Sequence, residues 1–346
     1  MKKQFLFIVL VTIVLINLGC KKSLTEPVSD NTQPGRRDYV WKVDTLKLPE
    51  GYSTFLTRMW GSSPEDVWAV GDAYSSQHCL WHYDGTQWKN DPTLRNIYPS
   101  AIWGTDKNNV WLANSNSTIW HFDGSTWAKY TDLVLKDYSR IILTNMVGTT
   151  KENIYGVGIA YHNNGQDYKG VITHFDGSKW KFIDVPANNI LLAVIAYNQA
   201  ANEFLISGVT DDFPYYYRLF QLKNDQLIER FRVDNKVIAL DEMGASNLVM
   251  VDKTLFSYYN GKLTEFKNLE STNIVGRLWV RNEKDFFTFT YDGIGHYNGI
   301  DLKTLFNKEL NDVGLNTAYI FEKEVFFLFE NSLTSVEFVV HGKLPN

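Results

Sequence analysis

The sequence predicts an all-β protein with a β-propeller fold. A unit of about 40–50 residues recurs along the 346-residue chain, is rich in strand-forming residues, and is divided by short Asp-Gly turns. The clearest copies begin at Trp60, Trp103 and Val147 as WGSSPEDVWAVG, WGTDKNNVWLAN and VGTTKENIYGVG. Each copy leads into a second phrase, HYDGTQW, HFDGSTW or HFDGSKW. Because such a unit forms one four-stranded blade, the repeat indicates the architecture before any single residue is considered.

Four strands can be placed within each clear unit. In the first unit, the innermost strand is predicted at residues 55–60, and the next three at 67–70, 80–83 and 86–89. Asp84-Gly85 separates the last two strands. A hairpin turn at this point needs positive φ, which glycine adopts at little cost. An equivalent turn is therefore expected in every unit.

Two series of equivalent positions give the number of blades. The turn between third and fourth strands recurs at 84–85, 123–124, 176–177, 224–225, 260–261, 298–299 and 341–342. The second strand recurs near Val67, Val110, Ile154, Phe204, Leu248, Phe286 and Val325. Both series predict seven blades. Six or eight remain alternatives, because the turn of the fourth unit lacks glycine.

The amino-terminal strand is predicted to close the ring. Residues 39–43 (YVWKV) look like an outer strand such as TQWKN, yet they have no blade of their own. Too few residues follow position 342 to form the last outer strand. We therefore expect residues 39–43 to complete the seventh blade, which removes two open sheet edges that would otherwise invite aggregation.

The amino terminus predicts an address in the cell envelope. Lys2 and Lys3 precede an apolar run at residues 5–18, which is shorter than the roughly 20 residues of a membrane span and suits a signal peptide. Cys20 directly after this run resembles the lipobox of bacterial lipoproteins, which implies lipidation of Cys20. One residue departs from that pattern: Asn17 stands three residues before the cysteine, at a position that usually holds Leu, Val or Ile. An uncleaved anchor and an ordinary signal peptide are the alternatives.

The predicted domain organisation has three parts. Residues 1–19 form a lipoprotein signal peptide, residues 20–38 a lipid-anchored flexible tether, and residues 39–346 the propeller. The tether is polar, contains two prolines and has no hydrophobic periodicity. This organisation predicts a membrane-anchored lipoprotein of the bacterial envelope, in the outer membrane and facing either the periplasm or the surface.

Composition excludes several other classes of function. The formal charge of −5 would become −7 without Lys2 and Lys3, and no basic block occurs, which argues against nucleic acid. With Cys20 lipidated, only Cys79 remains, so no intramolecular disulfide is expected. Phosphate-binding glycine loops and the usual zinc or serine-hydrolase motifs do not occur, and neither a cofactor nor a metal site is predicted.

The repeated units also carry a resemblance. They look like those of bacterial extracytoplasmic β-propellers with WG-x-DVW…H-[YF]-DG-x-x-W repeats, and they are similar to the propeller repeats of two-component regulators. Such propellers serve as sensors, scaffolds and surface binders. The resemblance therefore implies recognition outside the cytoplasm and no particular reaction.

Residues that recur in every unit are expected to hold the unit together. His82, His121, His174 and His296 occupy one equivalent place, and equivalent places in different blades are spread around the ring instead of converging. We expect each imidazole to hydrogen-bond the adjacent Asp or Asn turn or a neighbouring blade. The repeated aspartates are predicted to form turns, and the repeated tryptophans to pack between blades.

Candidate binding residues are those that do not repeat. The segments 159–169 and 209–217 depart from the other units and combine aromatic rings with carboxylates and amides, which suits a protein or glycan surface. The predicted ligand-binding residues are Tyr161, His162, Asn164, Asp167, Tyr168, Asp211, Asp212, Phe213, Tyr215 and Tyr216.

The leading hypothesis is a non-catalytic recognition or scaffold module that binds a protein or polysaccharide through the loop face. The alternative is a carbohydrate-active enzyme, a glycosidase or lyase, because such enzymes work with paired carboxylates. Asp167, Asp211, Asp212 and Asp241 leave that alternative open.

Overall fold

A computed structural model describes residues 34–73, 77–186, 189–210, 213–307 and 312–346. This part of the chain forms 28 strands and no helix, arranged as seven antiparallel sheets of four strands each. The predicted seven-bladed propeller is thus confirmed. The predicted signal peptide at 1–19, Cys20 and the first part of the tether lie outside the described residues.

The first three blades follow the clear repeats. Blade 1 contains β2 (Thr54–Ser63), β3 (Asp66–Ala73), β4 (Leu80–Tyr83) and β5 (Trp88–Asn90). Blade 2 contains β6 (Pro99–Asp106), β7 (Asn109–Asn114), β8 (Thr118–Phe122) and β9 (Trp127–Asp132). Blade 3 contains β10 (Tyr138–Thr150), β11 (Asn153–His162), β12 (Tyr168–Phe175) and β13 (Trp180–Ile183).

The remaining blades have the same order of strands. Blade 4 contains β14 (Ile190–Asn198), β15 (Glu203–Thr210), β16 (Tyr216–Lys223) and β17 (Gln226–Asp234). Blade 5 contains β18 (Ile238–Leu240), β19 (Leu248–Val251), β20 (Thr254–Tyr259) and β21 (Lys262–Asn268). Blade 6 contains β22 (Ile274–Asn282), β23 (Asp285–Thr290), β24 (Gly293–Tyr297) and β25 (Leu302–Asn307). Blade 7 contains β26 (Val313–Ile320), β27 (Glu324–Asn331), β28 (Val336–Lys343) and β1 (Val40–Leu46).

The amino-terminal strand closes the ring as predicted. β1 pairs antiparallel with β28, from Val40 opposite Lys343 to Leu46 opposite Glu337. The predicted turn at 341–342 is wrong, because both residues lie inside β28, the third strand of blade 7. In blade 7 the fourth strand does not follow the third along the chain. β1, from the amino-terminal part of the sequence, takes that place.

The core lies between adjacent sheets. Trp111 of blade 2 packs against Phe175 and Trp180 of blade 3, with ring centroids 5.0 and 6.0 Å apart. Trp68 of blade 1 lies 5.4 Å from Trp127 of blade 2 in an edge-to-face contact. These contacts confirm the prediction that the repeated tryptophans pack between blades.

The tryptophans and glycines of the repeat pack against each other between the inner strands of blades 1, 2 and 3. A Cβ atom added at Gly104 would lie 2.8 Å from the Trp60 ring, and one at Gly148 would lie 2.5 Å from the Trp103 ring. Both distances are shorter than a carbon contact allows. The glycine of one blade therefore makes room for the tryptophan of the blade before it.

The repeated histidines are structural, but the partner they share is not the predicted turn; a neighbouring blade is approached by His174, whose Nδ1 lies 3.5 Å from Asp225 of blade 4. In five blades of the described part, Nε2 of the histidine donates a hydrogen bond to a side-chain oxygen at the start of the second strand of the same blade. The distances are 2.6–2.8 Å, and the pairs are His82–Asp66, His121–Asn109, His174–Asn153, His296–Asp285 and His341–Glu324. Each imidazole also lies over an aromatic ring of the second strand, with centroids 4.0–4.5 Å apart.

The repeated aspartates form the predicted turns. The Oδ1 atom of Asp123 accepts hydrogen bonds from the backbone N–H groups of Ser125 and Thr126 and from the Ser125 hydroxyl. These donors lower the pKa of Asp123 to about 2. Asp84 and Asp176 make the same contacts, so these carboxylates are already used by the backbone.

Candidate ligand-binding face

Two concave sites differ in character: the first is aromatic and opens on the face where second strands end and third strands begin, called here the loop face, and the second is charged and lies on the axis. The first, the tyrosine groove, lies between blades 3 and 4 and has a volume of about 580 Å³. Its lining consists of Ile159, Tyr161, Gln166, Tyr168, Leu191, Val209, Thr210, Tyr215 and Tyr217. Four of these nine residues are tyrosines, which present both an apolar ring and a hydroxyl group.

The wall on blade 3 is an extended hairpin. β11 and β12 continue their pairing to Tyr161 opposite Tyr168, and the two rings lie 6.3 Å apart. Beyond them, the Asn164 side-chain oxygen accepts hydrogen bonds from the backbone N–H groups of Gln166 and Asp167. The Asn164 amide donates to the Asp167 carboxylate at 2.7 Å. The predicted residues Asn164 and Asp167 therefore build the tip of the hairpin and do not line the groove.

His162 also supports the hairpin from outside the groove. Its Nδ1 atom accepts a hydrogen bond from the Asn164 backbone at 3.3 Å, and its ring meets Tyr138 edge-to-face at 5.4 Å. The lining of the groove does not include His162. Of the residues predicted on this hairpin, Tyr161 and Tyr168 are the two that reach the groove.

Two of the three consecutive tyrosines on the blade 4 wall face the groove. Tyr215 and Tyr217 line the groove, whereas Tyr216 does not, since successive side chains of a strand point to opposite faces. Tyr216 instead lies under the Arg232 guanidinium, 5.5 Å from the ring centroid. Tyr216 of the predicted set thus lies outside the groove, and Tyr217, which was not predicted, lies in its lining, as alternation along PYYY would have indicated.

Phe213, a further predicted residue, lies beside the groove. Phe213 is 83% exposed, and its ring meets Tyr215 edge-to-face at 6.1 Å. Asp211 and Asp212 lie outside the described residues. The Arg140 guanidinium lies 4.8 Å from the centre of the Tyr161 ring, whereas Lys169 lies 5.5 Å from that of Tyr138, outside the groove. The groove is thus aromatic, with one cation against its blade 3 wall.

The second site, the axial cavity, lies where the inner strands meet and has a volume of about 340 Å³. Its lining includes three charged side chains, Arg58, Glu242 and Arg277, together with Trp60 and Trp103. Leu191 lines both the axial cavity and the tyrosine groove, so the two sites adjoin. Sequence reasoning placed the tryptophans near the axis but selected none of the three charged residues.

The remaining carboxylate considered for catalysis is fully buried. Asp241 accepts hydrogen bonds from the backbone N–H groups of Met243, Ala245 and Val280, each at 3.1 Å. Burial outweighs these donors and raises the pKa of Asp241 to about 6. Asp241 therefore ties the inner strand of blade 5 to that of blade 6, and it lines neither site.

Two further findings concern the described residues alone. No helix there is long and apolar enough to cross a membrane. No group of three His, Cys, Asp or Glu side chains in that part of the chain could hold a metal ion.

Comparison with known proteins defines the class of fold. No protein-family model matches the chain, and no curated protein matches it in sequence. Solved structures do match: YCF48 bound to a D1 peptide has a TM-score of 0.60 at 12% identity, covering 91% of this chain and 98% of that one. YCF48 from Cyanidioschyzon merolae has a TM-score of 0.58 at 12% identity, covering 86% and 98%.

A third similar structure is another β-propeller domain. The β-propeller domain of Cps50 (Swd1) from Myceliophthora thermophila has a TM-score of 0.56 at 10% identity, covering 86% of this chain and 99% of that one. At such low identities, the likeness shows the fold alone. The chain is accordingly a seven-bladed β-propeller, and its function has to be argued from its own surface.

Proposed function

We propose that this chain is a non-catalytic recognition module of the bacterial cell envelope that binds a segment of a partner protein in the tyrosine groove. The observation that carries the proposal is the groove itself, a site of about 580 Å³ with four tyrosines in its lining. Tyrosines give large contact areas at low entropic cost and are enriched in protein-binding surfaces. The envelope location rests on the lipoprotein signal predicted at residues 1–20.

A protein ligand is favoured over a polysaccharide for two reasons. Arg140 lies against the Tyr161 ring of the aromatic wall, and a guanidinium beside aromatic rings suits the carboxylate and carbonyl groups of a polypeptide. In addition, one propeller of similar fold, YCF48, has been solved with a peptide bound. A polysaccharide that stacks on the tyrosines is the alternative outcome of the test below.

The carbohydrate-active enzyme gains no support from the described residues. The described lining of the tyrosine groove contains no carboxylate, and Asp167 and Asp241 are bound within their own loops. A glycosidase requires two carboxyl groups roughly 5–10 Å apart in one concave site. We therefore propose recognition without catalysis.

The test measures binding by residues 34–346 and by matched tyrosine variants. Partners are first captured from an envelope extract and identified, and the same protein is applied to a glycan array. The affinity for the captured partner is then compared for the wild type, Tyr161→Ala, Tyr215→Ala and the control Tyr259→Ala, whose ring is 60% exposed on the turn of blade 5. We expect the two groove variants to bind at least tenfold more weakly and the control to bind normally.

Each outcome separates the hypotheses. A partner whose affinity is unchanged in both groove variants would overturn the groove as the binding site. A glycan signal without a protein partner would replace the protein ligand with a polysaccharide, and turnover of that glycan would revive the enzyme. Thermal unfolding of every variant shows whether an effect on binding is separate from an effect on stability.

A further inference from the structure

The axial cavity has an excess of positive charge that the fold does not neutralise. Arg58, Arg277 and Glu242 are the charged side chains in its described lining, so two cations face one anion. Burying a cation without a partner is costly, because the surrounding protein solvates it less well than water. The arrangement of each guanidinium shows where the excess lies.

Arg277 is the cation that is already paired. Its Nε and Nη2 atoms donate to the two Glu242 carboxylate oxygens at 2.5 and 2.7 Å, which is a bidentate ion pair. Its Nη1 atom donates to the backbone carbonyl of Asn316 at 2.5 Å. The backbone at Arg277 has φ of 69°, a left-handed conformation that is rare for arginine. The strand thus departs from regular geometry at the residue that enters the cavity.

Arg58 is the cation that has no acidic partner. Its Nε and Nη2 atoms donate to the Thr144 carbonyl at 3.0 and 2.8 Å, and Nη1 donates to the Thr57 carbonyl at 2.9 Å. Among the described residues it forms no ion pair. An arginine has five N–H groups, so two of them remain beyond these three bonds. Burial lowers the pKa of Arg58; the nearby Glu242 carboxylate opposes this effect and the Arg277 cation adds to it.

We propose that the axial cavity is a carboxylate-binding site and that Arg58 is its principal ligand-binding residue. The planar fork of a guanidinium matches the two oxygens of a carboxylate. A single negative charge would balance the one excess cation, whereas a phosphate dianion would exceed it. The aromatic walls formed by Trp60 and Trp103 exclude water, which strengthens such a pair.

The source of the carboxylate follows from the proposed function, on which this part of the inference rests. Leu191 lines both sites, so a protein segment in the tyrosine groove lies next to the axial cavity. Such a segment could supply an Asp or Glu side chain, or the carboxylate at its carboxyl terminus. The chemistry is the same for both sources, and peptides distinguish them.

The first experiment titrates residues 34–346 with sodium acetate against sodium chloride at constant ionic strength. The readout is the indole N–H resonances of Trp60 and Trp103 in ¹H–¹⁵N spectra, assigned with Trp→Phe variants. We expect a saturable shift with acetate and not with chloride. Arg58→Gln should weaken acetate binding at least tenfold, and Arg58→Lys, which keeps the charge without the fork, should fall between them.

Two variants keep the proposal open to refutation even if Arg58→Gln folds poorly. Glu242→Gln removes the anion that competes for the cavity, so acetate should bind severalfold more tightly, a gain that a purely structural role would not produce. Arg36→Gln removes the same charge from an exposed residue paired with Asp38 and should have no effect. No saturable shift in the wild type, or weaker binding in Glu242→Gln, would refute the proposal.

A second experiment identifies the source and separates this inference from the proposed function. Once the captured segment is known, its peptide is compared with versions carrying a Glu→Gln or Asp→Asn change or a carboxyl-terminal amide. The version that loses affinity contains the carboxylate that enters the cavity. Tyr161→Ala should weaken binding of the peptide and leave acetate binding unchanged. The experiments can therefore refute the groove as the binding site and the axial cavity as the carboxylate site independently of each other.

Discussion

Repeated and non-repeated residues occupy opposite ends of the same hairpin in blade 3. At one end of β11 and β12, Asn153 bonds His174, which stacks on Tyr155 with ring centroids 4.0 Å apart, as in the other regular blades. At the other end, Tyr161 and Tyr168 have no counterpart in the repeat, and they line the tyrosine groove. Repetition therefore marks the contacts that hold a blade together, and departure from it marks the surface available for binding.

Removing the closing strand should have the largest effect of any change considered. Without β1, β28 becomes an exposed edge, and the contacts of Trp41 with Phe306 and Phe327 are lost. We expect residues 47–346 to be insoluble or aggregated under conditions in which residues 34–346 stay in solution without aggregating, as measured by size-exclusion chromatography with light scattering. A monomeric product with an unchanged melting temperature would show that the ring does not depend on its closure.

The second largest effect is the difference in stability between an alanine variant of a repeated tryptophan and one of a groove tyrosine. Trp111 is 3% exposed and packs against blade 3, so Trp111→Ala should lower the free energy of unfolding by about 3–5 kcal/mol. Tyr215 is 46% exposed, so Tyr215→Ala should change it by about 0.5 kcal/mol or less. Denaturant unfolding of both variants measures the difference. Equal losses would mean that the groove is part of the scaffold.

A pH titration sharpens the comparison, because Glu337 is a non-repeated residue with a structural role. It accepts hydrogen bonds at 2.5 Å from the Thr54 hydroxyl and the Leu56 backbone N–H, joining blade 7 to blade 1. Burial raises the pKa of Glu337 to about 7. A raised carboxyl pKa favours folding while the group is protonated, and this contribution is lost as pH rises from about 4.3 through about 7.

Glu337→Gln cannot ionise, which makes it the matched variant for that titration: its amide oxygen accepts from the Leu56 N–H, and its NH2 group donates to the Thr54 hydroxyl, which reverses that bond. Relative to the wild type, its melting temperature should rise between pH 5 and pH 8, corresponding to about 2–3 kcal/mol at the upper end. The measurement is calorimetry of both proteins across this range. A constant difference between them would mean that Glu337 does not titrate within it.

The repeat made most of the fold predictable, because its signals are local. Strand alternation, an Asp-Gly turn and a Trp-Gly pair lie within a few residues of each other, so blade number and ring closure could be inferred from the sequence. The error at 341–342 has the same origin. Residues His341 and Gly342 resemble a turn locally, and only pairing with β1 at the far end of the chain places them inside a strand.

The binding face was predictable only in outline. The unusual segments belong to the two blades that form the tyrosine groove, and Tyr161, Tyr168 and Tyr215 reach the groove. Asn164 and Asp167 look like ligand-binding residues in the sequence, but they are used by their own turn. Whether a polar side chain is free for a ligand depends on its hydrogen bonds, which composition does not reveal.

The sequence by itself determined the class of fold, the blade repeat, the closing strand and the region of the groove, since each depends on contacts between near neighbours or on a pattern repeated many times. Only the tertiary structure decided the axial cavity. Arg58, Glu242 and Arg277 are far apart in the chain and belong to no shared motif, and the ring brings them together at its centre. Their pairing, and the excess charge that it leaves on Arg58, arises from closure of the ring and not from any local signal.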